Sequence, residues 1–174
     1  MQNYLLRHFL ASHGLGPERD VNITEVSSPR MPHFLSSGRI DEMFAQEPFN
    51  QLTVYKGLGF IHTFSKDIWP GHHCCNFVTI DEFIERYPNT YRALLSSILA
   101  AQHSPHTADA DRRLEIAREL SAPDLLNQED PVPVIRALSG YFPDGNGQTC
   151  EHLDHIDFVP TSHPEYGTWI LPQA

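Results

Sequence analysis

The chain has 174 residues, of which 40% are hydrophobic and 20% charged, and its formal net charge is −10. That length carries a real core in one domain, the balance is globular rather than disordered, and the acidity argues against a nucleic-acid partner, which wants a basic face. Three cysteines, Cys74, Cys75 and Cys150, make no disulfide framework, and an odd count leaves at least one thiol unless two chains pair.

Residues 1–16 lack the basic start and long apolar run of an export signal. No apolar run nears the roughly 18 residues of a membrane span. Read as it stands, the chain is expected in the cytoplasm; as a piece of a longer protein, it would have its export signal elsewhere. Residues 2–14 place Tyr4, Leu5, Leu6, Phe9 and Leu10 at helical spacing, and Gly14 supplies a stop. Gly16 to Asp20 reads as a turn. Val21 to Val26 alternates and predicts a strand. Ser27-Ser28-Pro29 then leads into a helix from about Arg30 to Ser37, with Ser28 as its expected cap.

Gly38 closes that helix, and Ile40 to Ala45 predicts a short buried strand. Glu47-Pro48 opens the next helix. Proline suits a helix's first turn, where a missing N–H costs nothing, and an acid there complements the positive helix end. Strand, sharp turn and helix N-terminus is the arrangement that presents ligands in open α/β sheets and that binds anions through unpaired N–H groups.

The stretch Gly38-x-x-Asp41-x-x-x-x-x-Glu47-Pro48-Phe49-Asn50 resembles the G-x-x-D-x-x-x-x-x-E-P-W-N signature of the nitrate- and bicarbonate-binding receptors of bacterial ABC transporters, with Phe49 at the usual Trp. Val26-Ser27-Ser28-Pro29-Arg30-Met31 is similar to that family's Pro-rich turn before Gln-Met, with Arg30 in place of Gln. Farther on, Asp67-Ile68-Trp69 matches its D-I-W segment, and a short helix, Tyr87-Pro88 and a long helix follow in its order. The likeness runs over residues 3–103. Ser162-His163 and Trp169-Ile170 extend it weakly. It implies one α/β lobe, the second, of a type II periplasmic-binding-protein-like fold.

Phe60 to Phe64 and Asn76 to Ile80 predict two more strands. Helices are predicted over 81–87, 90–103, 109–120, 123–127 and 131–139, and a turn cluster over 141–147. Residues 148–174 read as irregular. The expected division is a lobe over 1–104 and a helical, irregular extension over 105–174 packed on that lobe.

Four groups of residues could carry chemistry. In the first, the resemblance implies a ligand site on Ser28, Pro29, Arg30, Glu47, Pro48 and Cys75. Ser28 stands where the family has Pro, and Cys75 where it has the Lys that meets the anion, so Arg30 and Lys66 are the cations left to replace it. The plain alternative is a lobe with no competent site. The second group is His72-His73-Cys74-Cys75, soft ligands of the kind Zn²⁺ takes, at a spacing that does not suit one ion. In the third, Glu47 with Asn50 reads as a ligand carboxylate or, preferably, as the residue that fixes the strand–helix turn. The last, His152-x-x-His155 with Asp154 and Asp157, reads as a solvated loop.

No G-x-S-x-G, P-loop, H-E-x-x-H or G-x-G-x-x-G occurs. The expectation is therefore not an enzyme, with no cofactor. The resemblance implies a small oxyanion (nitrate, nitrite or bicarbonate) captured for ABC-type import. Its partners would be an ABC permease or ATPase, a chain supplying the missing lobe, or a second copy. The alternatives are a cytoplasmic nitrate-sensing or regulatory domain of the same fold and a ligand-free lobe that self-associates.

Overall fold

The computed structural model describes residues 2–72, 75, 77–152 and 154–159. Eight α-helices and one two-stranded sheet occur among them. Helix α1 (Gln2–Ser12) buries Leu5 and Leu10 but leaves Tyr4 exposed, and Gly14 ends it at φ +79°. A 3-10 turn, Ser28–Arg30, runs into α2 (Met31–Ser36). The Ser28 hydroxyl makes no capping bond there, contrary to expectation. It donates instead to the Gln46 side chain, 3.0 Å away.

Helix α3 (Phe49–Tyr55) follows a cis Glu47–Pro48 bond. Then come α4 (Ser65–Ile68), α5 (Asp81–Arg86) and α6 (Pro88–His106), the last running past its predicted ends at 90 and 103. Helix α7 (Ala110–Leu120) starts at Asp109, whose side chain accepts the Arg112 N–H as an N-cap. The predicted 123–127 helix is absent. That segment turns back on α7, with Leu126 N–H donating to Leu120 O and Asn127 N–H to Ala122 O. Helix α8 (Val132–Ser139) ends at Gly140, φ +68°, a left-handed cap that glycine adopts without cost.

The four predicted strands are the main correction. Residues 21–26, 40–45, 60–64 and 77–80 have no ladder partner among the described residues. An apolar or alternating run marks a segment that wants a sheet, but pairing needs a neighbour. The observed strands, β1 (Tyr141–Pro143) and β2 (Thr149–Glu151), lie where a turn and an irregular tail are expected. They pair antiparallel, Phe142 opposite Cys150.

The apolar core lies toward the C-terminal side. Ile116 and Ala117 of α7 meet Val134 and Leu138 of α8, with Ile156 and Phe158 of the tail packed on them. Phe142 is fully buried. The hairpin turn also reaches the first half of the chain: Ile61 N–H donates to Asp144 O at 2.8 Å.

Candidate functional site

Two predicted segments meet at Gln46. Its side-chain oxygen accepts from Ser28 Oγ at 3.0 Å and from Gln2 Nε2 at 2.9 Å. This lays the Ser28–Pro29–Arg30 turn beside the Glu47–Pro48 turn. Ser28 is half-buried, while Pro29 and Arg30 are exposed. The Arg30 guanidinium stands 5.1 Å from the centre of the Phe34 ring, and Arg39 stands at 5.1 Å from the same ring. Such cation–ring contacts leave the guanidinium N–H groups available to an anion. Neither arginine has an acid partner among the described residues. Arg39 is absent from the sequence reading. Its signal was its place directly after Gly38, inside the quoted motif.

Glu47 points inward. Oε2 accepts the Gln51 N–H in the first turn of α3 (3.1 Å), and Oε1 lies 2.9 Å from His155 Nε2. The two side chains are 11% and 6% exposed. His155 packs against Phe64 (5.1 Å between ring centres) and Phe142 (4.8 Å). The sequence reading of 152–157 as a solvated loop is overturned for His155, because two distant aromatic rings enclose it. His152 is tied by its backbone, donating to Gly140 O at 2.7 Å. Gln51, 0% exposed, has no partner for either side-chain polar atom among the described residues. Asn50 donates to Ala45 O at 2.6 Å, which fixes the turn before α3.

Lys66 forms an ion pair with Asp154 at 3.0 Å, so it is engaged with the tail. That hydrogen bond holds the Asp154 carboxyl below its ordinary range. Burial, with Asp144 nearby, raises the Cys150 thiol. Cys75 is exposed on the loop between α4 and α5. His73 and Cys74, half of the His–Cys cluster, lie outside the described residues. His72 Nδ1 is 3.0 Å from Trp69 O. Among the described residues no three His, Cys, Asp or Glu side chains are grouped for a metal. A groove of about 410 Å³ between α1 and α4 is lined by His8, Phe9, Ser12, His13, Thr63, Asp67 and Ile68. No predicted ligand residue lines it. The site can thus offer an anion guanidinium groups next to a turn fixed by a buried carboxylate.

A model of the NMT1-like family matches residues 1–121. The nitrate import ATP-binding protein NrtC of Synechocystis is 30% identical over 99% of this chain and 26% of its own length. The bicarbonate transport ATP-binding protein CmpC of Synechocystis is 34% identical over 91% of this chain and 22% of its own. The nitrate/nitrite binding protein NrtA of Nostoc is 30% identical over 97% of this chain and 39% of its own. The chain therefore spans about a quarter of the ATP-binding relatives. The crystal structure of the periplasmic nitrate-binding protein NrtA from Synechocystis superposes with a TM-score of 0.80 at 23% identity, over 87% of this chain and 39% of that one. The shared fold is a partial α/β lobe of the periplasmic-binding-protein type. Among the described residues no helix is long and apolar enough to cross a membrane.

Proposed function

The chain belongs to the NMT1-like family, and from that premise we propose that it is a solute-binding lobe for a small oxyanion, nitrate or bicarbonate, working with an ABC-type importer. One observation carries the reading. The Ser28–Arg30 turn is held against the Glu47–Pro48 turn through Gln46, and Arg30 and Arg39 stand there without acid partners among the described residues. On a chain of net charge −10, two guanidinium groups against one ring, without acid partners among the described residues, make a local positive site. The guanidinium fork suits a planar oxyanion. The contacts would be the Arg30 and Arg39 N–H groups. Glu47 and Pro48 would act by holding the turn, because both Glu47 oxygens are already engaged. Cys75 brings no positive charge, so the anion would rest on the arginines.

A second reading is a regulatory lobe attached to an importer's ATPase. The names of NrtC and CmpC favour it, since one is a nitrate import and the other a bicarbonate transport ATP-binding protein, and both match along nearly all of this chain. The expected lobe and extension, divided near 104, would then be one part of a longer assembly.

The test is thermal unfolding with nitrate, nitrite and bicarbonate, in the wild type and in Arg30→Ala/Arg39→Ala. A ligand at about 100 times its Kd adds roughly 2.7 kcal/mol, a rise of several degrees, about 2–4 °C per kcal/mol for a domain of this size. A rise with one anion that disappears in the double variant supports the site. No rise with any of them removes the oxyanion reading and leaves the regulatory one.

A further inference from the structure

Arg30 and Arg39 lie on either side of helix α2, and both guanidinium groups stand 5.1 Å from the centre of one ring, Phe34. Two local features bring them there. Arg30 immediately precedes α2, one turn before Phe34. A helical side chain leans toward the N-terminus of its helix, so the ring lies over the turn that carries Arg30. Arg39 arrives from the other end by a chain reversal. Gly38 takes φ +67°, its N–H donates to Leu35 O at 3.1 Å, and the Arg39 N–H donates to Phe34 O at 2.9 Å. That pair of bonds around a left-handed glycine is a Schellman cap. Such a cap folds the residue after the glycine back onto the last turn, where an apolar contact commonly closes it. Here the Arg39 guanidinium takes that place on Phe34. An aromatic face attracts a cation without neutralising it. Other arginines of the chain are held differently: Arg7 pairs with Glu18, Arg19 with Asp20, and Arg112 with Glu115 and Glu119.

We propose that Phe34 is a positioning residue of the oxyanion site: its ring, with the Gly38 cap, sets the placement of Arg30 and Arg39 on which anion binding depends. This rests on the oxyanion reading and names the residue behind its two cations. Both arginines are exposed. Left to themselves, two like charges on long side chains would spread into solvent, and fixing them later would cost rotamer freedom. The negative face of the ring offsets their repulsion, and a cation placed beforehand loses less on binding its ligand. A carboxylate in place of the ring would also hold the arginines. It would cancel the positive charge that a chain of net charge −10 needs at this spot. Phe34 itself touches no anion and acts through the two guanidinium groups.

The test is the anion dissociation constant of the full chain, read from its thermal shift against the concentration of nitrate, nitrite or bicarbonate. Phe34→Leu keeps an apolar side chain without the ring and is expected to raise that constant about tenfold. Phe34→Tyr keeps the ring and is expected to stay within about twofold of the wild type. Equal losses in the two variants would make the effect one of packing and overturn the proposal. A Phe34→Leu chain that binds as the wild type does, while Arg30→Ala/Arg39→Ala binds nothing, overturns it and leaves the oxyanion reading standing. A wild type that binds none of the three anions removes that reading and the proposal together. Proton NMR of the wild type reads the placement with no anion present and without relying on the folding of a Phe34 variant. The ring current of Phe34 is expected to displace the side-chain methylene signals of both arginines, assigned by their loss in Arg30→Ala and in Arg39→Ala. Undisplaced signals from either arginine overturn the proposal even where an anion binds.

Discussion

His155 ties together segments that lie far apart in the chain. It bonds Glu47, packs on Phe64 and Phe142, and is almost wholly buried. Removing one member of a buried pair leaves the other charge or dipole uncompensated, at a cost of about 3–5 kcal/mol. His155→Ala is expected to lower unfolding stability in urea by about 3 kcal/mol. In a Glu47→Gln background the same change is expected to cost clearly less, since the two share one interaction. Two additive losses would show that packing alone holds His155. Asp154, next in the chain, gives a pH signature. The hydrogen bond from Lys66 lowers its folded pKa beneath the unfolded one. Its contribution is therefore present above the ordinary Asp value of about 3.9 and is lost as pH falls through the lower folded value. The stability difference between wild type and Lys66→Met is expected to be steady near neutrality and to shrink in acid. It should also be small and salt-sensitive, because Asp154 is largely exposed.

Among the elements, the hairpin turn is a tight joint. Gly145 has φ +88°, and a Cβ built there would come within 2.7 Å of Gly59 O and 2.9 Å of Phe60 Cα. A side chain in the left-handed region costs roughly 1–2 kcal/mol by itself, and here backbone must also move. Gly145→Ala is expected to destabilise by at least about 2 kcal/mol in urea, whereas Gly147→Ala, with φ +89° but open space around it, should cost only the conformational part. Equal losses would remove the close approach as the cause. The hairpin also shows what local pattern could and could not reveal. Helices α1, α2, α7 and α8 were legible because a helix makes its hydrogen bonds within itself and shows its buried stripe in the spacing. The strands were not. Residues 21–26 and 40–45 have strand-like composition, but a ladder needs a second segment that composition does not name. Pro143 and Gly145 hid β1 and its turn as a plain loop.

On the scale of the whole molecule, the candidate site divides in the same way. Ser28, Arg30, Glu47 and Pro48 were visible because each sits in a short motif. The Glu47–His155 contact spans 108 residues, and the Arg30–Phe34–Arg39 cluster needs the α2 turn to bring both arginines onto one ring. Neither is written in local spacing. The core itself depends on residues beyond 107: Ile116, Ala117, Val134, Leu138 and Phe142 are there. A fragment of residues 1–107 is accordingly expected to lack a cooperative urea transition, whereas the full chain shows one. A sharp transition in the fragment would mean that α1, α2 and α3 hold together without α8.

That placement of the core bears on how the protein is made. A ribosome adds about 5–20 residues per second and releases the N-terminal side first. Here α1 to α6 emerge before their main support exists, and α6 brings its open apolar stripe with them. Glu47 waits longest, since its partner His155 is synthesised 108 residues later. The nascent chain therefore spends several seconds with unburied apolar surface.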